Sequence, residues 1–542
     1  MNPHDPHEAA DAALLDPIDP HTDDEAVDDA RQRRLILITM CVALIAVIAS
    51  VSGLNVAQQQ LAADLGATQS QLLWIINGYT LALAALLMPV GAIGDRWGRK
   101  PILLAGLALF AATNAASAFV TTPEALIALR IVAGVAAAMI MPVTLSVITT
   151  SFPAHERAKA VGAWAGVAGA GGIIGLFISA AIIDNTTWPW VFAFPVTIAV
   201  IALAGTIAFV PHSREHSEGG FDIAGSLLSV IAVGGIVLAF HEGPEQGWTH
   251  AITLAGFAAG IAGALAFVFV ELRRDHPLLD VRLFANPGLS TGSINLFVVF
   301  AVMFALFLTL VQFLQAVLGY SALRAASSLL PMAAAMMPLA TMAPTIAHRV
   351  GYRRTVAAGM SLNAAALVWF ALVAEPDASY LQVLPPLLIL GVGVGLAMSP
   401  STTAITASLP EDKQGVASAL NDTVREMGGA IGIALIGSIL NAQYRANIAP
   451  TTDTLSPELA EPVKEGIGGA LVAASKAGSE STTIIDAARH AFADGLGPAM
   501  YVAAGLCAAA AIFTTLVGIK GRRADTSPVS DSSEFAAQPQ PT

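Results

Sequence analysis

The chain has 542 residues, of which 55% are apolar and only 12% are charged. A soluble fold of this length needs far fewer apolar side chains. The composition therefore predicts an α-helical membrane protein, whose spans of about 20 residues satisfy their own backbone hydrogen bonds. The net charge of −13 is uneven, because ten acids lie in residues 1–30, so it indicates no binding to nucleic acid.

Fourteen apolar runs follow an N-terminal stretch that has no hydrophobic periodicity. We predict that residues 1–34 form a disordered, acidic cytoplasmic tail and that residues 521–542 form a second disordered tail. The predicted spans are 35–57, 72–93, 101–120, 125–149, 160–183, 190–210, 222–240, 251–271, 292–316, 326–347, 355–373, 382–404, 416–440 and 497–519.

The positions of Lys and Arg predict the topology. With the N-terminus in the cytoplasm, 19 of the 26 basic residues lie in cytoplasmic segments, five lie in outer segments and two lie inside spans. This bias follows the positive-inside rule, and it predicts a multi-pass protein of the cytoplasmic membrane with both termini in the cytoplasm. In the long outer loop 441–496, two Ala-rich stretches, 456–477 and 483–494, are expected to form amphipathic surface helices.

Several spans carry uncharged polar residues, and the first span has no acid at all. Such residues either line a substrate path or act as hydrogen-bonding contacts between helices, and in the first span they could also form only a polar outer rim. The sequence leaves these alternatives open. The substrate-path candidates are Ser50, Ser52, Asn55, Gln58, Asn77, Tyr79, Asn295, Gln312 and Gln315.

The turn between the second and third spans, residues 91–100, reads Gly-Ala-Ile-Gly-Asp-Arg-Trp-Gly-Arg-Lys. One acid, three bases and three glycines in ten residues predict a tight turn held by charge pairs, in which Asp95 faces an arginine or the positive end of a neighbouring helix. The segment resembles the Gly-x-Leu-x-Asp-Arg-x-Gly-Arg-Arg/Lys signature of the major facilitator superfamily of transporters, and departs from it only at Ile93.

The resemblance implies that this turn is a conformational latch, formed here by Gly91, Asp95, Arg96, Gly98 and Arg99. The alternative is a topology anchor that acts through positive charge alone. An anchor, however, would need neither the acid nor the glycines. A second-half echo of the signature at 347–354 keeps its bases and Gly351 but has lost the acid.

Further segments resemble the fourteen-span drug:proton antiporter branch of the superfamily, and together they extend the resemblance to about residues 35–520. The segments are 71–79, 130–142, 278–284, 315–321 and 415–429. The implied fold is two six-helix bundles with two linker spans between them. The implied domains are an N-terminal bundle at 35–210, a linker at 211–288 and a C-terminal bundle at 289–520.

Arg130 is an isolated charge in the fourth span, where a guanidinium costs several kcal/mol unless it faces water or a partner. The resemblance implies a part in proton coupling, and the alternative is a structural arginine that bonds to carbonyl groups. The branch carries an acid in the first span at the place of Ser50, and a proline in the fifth span at the place of Leu176. The close-packing glycines of that span remain as Gly169, Gly171 and Gly175.

The thirteenth span contains Asp422 and Glu426, four residues apart, with Arg425 beside them. At 3.6 residues per turn the two acids share one helix face, roughly 6 Å apart. Two carboxylates in a medium of low dielectric tend to hold a proton between them, whereas Arg425 opposes this, so the set suits a proton-coupling switch. The alternative is a neutralised ion cluster near the cytoplasmic interface.

These features predict proton-coupled efflux of amphipathic drugs or related organic compounds by alternating access. The alternatives are a dedicated exporter of one neutral or anionic metabolite and, less favoured, a non-transporting sensor. No metal-ligand cluster, nucleophile elbow or P-loop is found in the sequence, which disfavours an enzyme and direct ATP drive. We expect no cofactor or metal, and the expected partners of the monomer are a small organic substrate, protons and the lipid bilayer.

Overall fold

The structure is a computed structural model that describes residues 27–67, 69–212, 221–410 and 413–518, and every regular element in these ranges is helical. The helices are α1 (Ala30–Leu65), α2 (Gln69–Trp97), α3 (Arg99–Ser117), α4 (Pro123–Ser151), α5 (Ala154–Asn185), α6 (Ala193–Phe209), α7 (Ile223–Gln246), α8 (Ala251–Glu271), α9 (Pro287–Gln312), α10 (Ala322–Val350), α11 (Tyr352–Val373), α12 (Tyr380–Ala407), α13 (Gln414–Thr452), α14 (Pro457–Glu465), α15 (Ile467–Lys476) and α16 (Ser481–Val517). Short helical turns lie at Trp188–Phe192, Val281–Ala285, Phe313–Val317 and Gly478–Glu480.

Fourteen of the described helices, α1 to α13 and α16, are long and apolar enough to cross a membrane. Each predicted span falls on one of them, so the prediction of an all-α, fourteen-span membrane protein is confirmed. The agreement has a simple cause, because a helix of about 20 apolar residues is the element that satisfies its backbone while it exposes apolar side chains to lipid.

The first helix begins earlier than predicted. Asp29 accepts the backbone N–H of Arg31 at 2.8 Å and so caps α1 at Ala30, five residues before the predicted start of the span. Arg33 in the first turn pairs with Glu156 at 2.9 Å. The end of the predicted tail is therefore helical, because capping and this ion pair extend the helix beyond its apolar segment. The predicted disorder of residues 1–26 and 521–542 lies outside the described residues.

The loop 441–496 is more helical than predicted. Helix α13 continues to Thr452, and α16 begins at Ser481, so the stretch 483–494 is the first part of a membrane helix and not a separate surface helix. The other stretch, 456–477, divides into α14 and α15 at Gly466, whose φ of +155° breaks the helix. Pro498 lies inside α16 and does not end it.

The membrane helices form two groups. Helices α1–α6 pack on one another, and α9–α13 pack with α16. The groups meet where α5 contacts α10 and α12 and where α13 contacts α2 and α4. The α2–α3 and α10–α11 turns have the same backbone form, since Gly98 has a φ of +106° and Gly351 a φ of +102°. Equivalent turns in the two groups are the signature of an internal repeat.

Helices α7 and α8 form a hairpin between the two groups, here called the linker hairpin. They pack tightly through glycines, and a Cβ on Gly235 would lie 2.6 Å from the backbone nitrogen of Gly260. Helix α7 contacts both α2 and α13, where Val237 is buried with Ala84 and Ala430. The linker hairpin therefore touches both halves of the molecule at their junction.

Candidate functional site

The turn after α2 contacts the start of α13. Asp95 Oδ1 accepts the backbone N–H of Gly415 at 2.9 Å, and its Oδ2 accepts that of Val416 at 3.2 Å. The same carboxylate accepts Arg99 Nη2 at 3.1 Å. The first N–H groups of a helix lack backbone partners and carry partial positive charge, so a carboxylate stabilises them by hydrogen bonding and by its charge. We call this contact the latch: Asp95, Arg99 and the first turn of α13.

Close backbone approach makes the latch possible. A Cβ on Gly91 would lie 2.6 Å from the carbonyl oxygen of Gly415 and 2.7 Å from Cβ of Ala419. Gly98 takes a positive φ that ends α2 and directs the chain into α3. Arg96, the remaining member of the predicted set, is half-buried on the same turn. The set of five therefore lies at one end of the junction between the two halves.

Arg130 on α4 is fully buried in a network of uncharged groups. Its Nε donates to the carbonyl oxygen of Ile75 at 3.2 Å, and its Nη1 donates to Ser50 Oγ at 2.8 Å. Ser50 in turn donates to Asn114 Oδ1 at 3.0 Å. The guanidinium lies over the Tyr79 ring, 4.2 Å from its centroid. Among the described residues, no carboxylate lies within ion-pair distance of Arg130, whose Nη2 has no hydrogen-bond partner.

Ser50 stands where the resemblance places the first-span acid, and it contacts Arg130. The resemblance places a carboxylate at this position, and the structure places the Ser50 hydroxyl directly against the guanidinium, where it is 3% exposed. A hydroxyl satisfies one N–H without neutralising the charge. Two of the substrate-path candidates, Ser50 and Tyr79, therefore belong to the surroundings of Arg130, and both are buried.

The acids of α13 lie in the middle of the junction. Asp422 is fully buried and pairs with Arg425, whose Nη1 donates to Asp422 Oδ1 at 2.8 Å. Asn421 Nδ2 donates to the same oxygen at 3.2 Å, while Asp422 Oδ2 has no partner. Glu426, one turn further along α13, is also buried. With two carboxylates and one guanidinium, the cluster carries a net charge of −1 when both acids are ionised, which a single proton would neutralise.

Arg425 joins the two halves. Its guanidinium lies 4.4 Å from the ring centroid of Phe300 on α9 and 5.3 Å from that of Trp164 on α5. Trp164 is buried and donates Nε1 to Thr144 Oγ1 at 3.1 Å, which fixes its ring in the N-terminal half. Cation–π contacts of this kind depend on the free charge of the guanidinium. The contact between Arg425 and Trp164 across the junction should therefore depend on the strength of the ion pair between Asp422 and Arg425.

Glu426 is related to the Arg130 network through its charge and not through a direct bond among the described contacts. It lies close enough to Tyr79 for an electrostatic interaction with the phenol, and Tyr79 stacks on Arg130. The acids of α13 and the arginine of α4 therefore occupy one buried polar region shared by the two halves. The sequence singled out the charged members but not Trp164 and Phe300, because an aromatic residue in an apolar helix has no signal of its own. Asn114 was also missed, although an amide inside a span is the kind of signal that selected Asn77 and Asn295.

The glycines of α5 lie against neighbouring helices. A Cβ on Gly169 would lie 2.9 Å from Met336 Sδ on α10, across the junction. Gly171 faces α1, where a Cβ would lie 3.2 Å from Ile48 Cδ1, and Gly175 is buried. These positions permit α5 to approach α10 and α1 closely, as small residues do in membrane helix packing.

The remaining substrate-path candidates do not gather at one place. Asn295 is buried and donates Nδ2 to Thr514 Oγ1 at 2.6 Å, so it joins α9 to α16. Asn77 lines a small cleft between α2 and α7. Gln312 and Gln315 are exposed at the end of α9. The side chains of Ser52, Asn55 and Gln58 lie outside the described residues.

Comparison with known proteins identifies the fold. The sequence model of the Major Facilitator Superfamily matches residues 39–433. The multidrug efflux pump LfrA of Mycolicibacterium smegmatis is 34% identical over 85% of this chain and 91% of its own length. The methyl viologen resistance protein SmvA of Salmonella typhimurium is 30% identical over 84% and 92%. The cephamycin export protein CmcT of Amycolatopsis lactamdurans is 32% identical over 74% and 83%.

Solved structures agree at the level of the fold. The human organic anion transporter MFSD10 superposes with a TM-score of 0.60 at 13% identity, covering 90% of this chain and all of that one. A bacterial homologue of the human lysosomal transporter Spinster gives a TM-score of 0.58 at 16% identity, covering 90% and 98%. These likenesses concern the arrangement of the helices alone.

Proposed function

The chain belongs to the Major Facilitator Superfamily, and from this premise we propose that it exports amphipathic organic compounds across the cytoplasmic membrane in exchange for protons, by alternating access. The observation that carries the proposal is the buried cluster of Asp422, Arg425 and Glu426 at the junction of the two halves. An intramembrane set of this kind is costly unless it serves a function.

Proton exchange follows from the charges of the cluster. When Asp422 and Glu426 are both ionised, Arg425 neutralises only one of them. Uptake of a proton by Asp422 removes the excess negative charge and weakens its ion pair with Arg425. The guanidinium then shifts relative to Trp164, and the packing of the two halves changes with it. A substrate that reaches the cluster favours the deprotonated form, so that substrate and proton bind alternately.

The latch provides the conformational half of the cycle. It closes the end of the junction that carries Asp95, and we propose that this end faces the cytoplasm with both chain termini. The closed latch then corresponds to a state that is shut towards the cytoplasm. Rocking of the halves breaks the bonds from Asp95 to the amides of Gly415 and Val416 and opens the cytoplasmic side. Because both hydrogen bonds at this buried carboxylate break together, the closed and open states are two distinct states.

We propose that Arg130 couples protonation of the α13 cluster to the opening of the latch. Its partners are uncharged, so its full positive charge acts on the polar region that it shares with Tyr79 and Glu426. Approach of Arg130 to Glu426 favours the ionised carboxylate, and separation favours the protonated form. Relative movement of α4 and α13 thereby changes the proton affinity of the cluster.

A second candidate function is export of a single neutral or anionic metabolite. Two observations favour it. Ser50 stands where an acid would help to select cations. Some relatives are named as exporters of one compound, such as the cephamycin export protein CmcT and the tetracenomycin C resistance and export protein of Streptomyces glaucescens.

Substrate-dependent proton flux in proteoliposomes tests both candidates. The panel contains the dication methyl viologen, tetracenomycin C and a cephamycin, with protein-free vesicles as the control. Proton movement driven by several chemically unrelated compounds would support multidrug antiport, whereas a response to one compound alone would support the dedicated exporter. If every compound is transported with no proton movement at any imposed pH gradient, proton coupling is wrong.

A further inference from the structure

The linker hairpin contacts both sides of the latch. Phe221, directly before α7, packs on Trp97 with ring centroids 5.5 Å apart, and Trp97 ends the helix that carries Asp95. On the other side, Lys413 Nζ donates to the carbonyl oxygen of Pro277 at 2.6 Å. Pro277 lies in the segment that leaves α8, and Lys413 directly precedes α13. The start and the end of the hairpin are thus each attached to one partner of the latch.

Two buried carboxyl groups, Asp222 and Glu271, lie side by side where the start of α7 meets the end of α8. Asp222 caps α7 by accepting the backbone N–H of Gly225 at 2.8 Å, and it is 5% exposed. Glu271 ends α8, is fully buried and accepts the backbone N–H of Leu279 at 3.0 Å. The remaining oxygens, Asp222 Oδ2 and Glu271 Oε1, have no hydrogen-bond donor. Both would touch a Cβ placed on Gly225, so they lie side by side.

Few positive charges compensate the pair. In the described part of the chain, Arg274 is the cation in contact, with its Nε 3.6 Å from Asp222 Oδ1, and its side chain is 45% exposed. The neighbouring cations bind elsewhere: Arg282 donates to the carbonyl oxygen of Leu272 at 2.8 Å, and Lys413 donates to Pro277. Two adjacent acceptors without a donor repel each other when both are ionised, and a single proton converts the repulsion into a hydrogen bond.

We propose that Asp222 and Glu271 share one proton and that this proton fastens the linker hairpin to the latch. The linker hairpin thereby acts as a brace that stabilises the closed latch and releases it when the pair loses its proton. The inference rests on the gating role proposed above for the latch. The ligand is a proton, and its site is separate from the α13 cluster.

Release follows from the contacts of Glu271. When both acids are ionised, repulsion separates the ends of α7 and α8, and Glu271 loses its hold on the Leu279 amide. The segment that carries Pro277 then becomes free to leave Lys413, and the first turn of α13 loses this support. Since the fastened form binds one proton more than the released form, it is stable at low pH and is lost as the pH rises. The ratio of released to fastened form should increase by up to about tenfold per pH unit.

Amide hydrogen exchange of the purified full-length protein in lipid nanodiscs tests the proposal. The readouts are peptides covering 272–281 and 413–421, corrected for the intrinsic exchange rate at each pH. In the wild type, both should lose protection together as the pH rises. In Glu271→Gln, the amide N–H group donates to Asp222 at every pH, so protection should persist. Glu242→Gln is the matched control, because it removes an acid at the other end of α7 and should keep the wild-type pH dependence.

Each outcome decides one part of the proposal. Wild-type protection that does not change with pH, or Glu271→Gln that titrates like the wild type, would refute the shared proton. If protection is lost on addition of a chelator and does not change with pH, a metal cation and not a proton joins the two acids, and the shared proton is refuted. Titration of 272–281 without any change in 413–421 would refute the brace. A failure of the gating role proposed for the latch would be a separate result. It would appear as normal transport by Asp95→Asn, with the pH dependence of exchange unchanged.

Discussion

At the scale of single residues, the most informative contact is the one between Arg130 and Ser50. A guanidinium that is buried without a carboxylate keeps its charge unneutralised, and its surroundings supply a hydroxyl, a carbonyl oxygen and the Tyr79 ring. Arginine suits such a set, because its planar fork donates in several directions at once. A lysine has one compact ammonium group, which cannot contact the Ile75 carbonyl oxygen, the Ser50 hydroxyl and the Tyr79 ring in the way that the planar guanidinium does.

We therefore expect Arg130→Ala to abolish transport and Arg130→Lys to retain part of it at best. Ser50→Ala is the matched control, since it removes one acceptor and leaves the charge in place, and it should lower transport by no more than about tenfold, which corresponds to about 1.4 kcal/mol. Transport rates in proteoliposomes with equal amounts of protein provide the measurement. Normal transport by a folded Arg130→Ala variant would remove Arg130 from the coupling path.

At the scale of helices, the start of α13 depends on a residue from another helix. Asp95 caps α13 from 320 positions away in the sequence, so movement of one half relative to the other would be needed to break the contact. A cap from the same chain segment, such as Asp29 at the start of α1, does not depend on how the two halves are arranged.

Asp95→Asn should reduce transport by about tenfold or more while leaving membrane insertion intact. The amide side chain lacks the charge that attracts the amides of α13 and Arg99, and removal of one partner from a buried charge pair costs roughly 3–5 kcal/mol. Asp29→Asn is the control, because asparagine caps a helix about as well as aspartate does. Full activity of Asp95→Asn at normal expression would leave the turn as a topology anchor only.

A methyl group at the latch tests the same contact by sterics. In Gly415→Ala, the new Cβ would lie 2.5 Å from both Asp95 Oδ1 and the Gly91 carbonyl oxygen, so the closed latch cannot form without movement of the backbone. Distance measurements between spin labels on the two halves should show a shift away from the closed state. Gly437→Ala on the same helix is the control, since no atom lies near its Cβ. An unchanged distance distribution in Gly415→Ala would contradict the tight closure.

At the scale of the whole molecule, the sequence predicted the fourteen spans because hydrophobic length alone decides what crosses a bilayer. The ends of α1, α13 and α16 could not be predicted in this way, since polar caps, an ion pair and packing outside the apolar core set them. The latch turn was recognisable from its glycines and charges. The partners of Arg130 and Arg425 were not, because the rotation and packing of separate helices bring Ser50 and Trp164 to them.

We propose that Asp422 and Glu426 carry the exchanged proton, and the protons that the purified protein releases on binding substrate can be measured to test this. With methyl viologen or another transported compound as the probe, the wild type should release protons. At least one of Asp422→Asn and Glu426→Gln should bind the compound without release. The triple variant Asp422→Asn, Arg425→Gln, Glu426→Gln separates the two roles of the cluster. This charge-free protein should release no protons and should not pump, whereas a triple variant that pumps normally would show that the acids only neutralise Arg425.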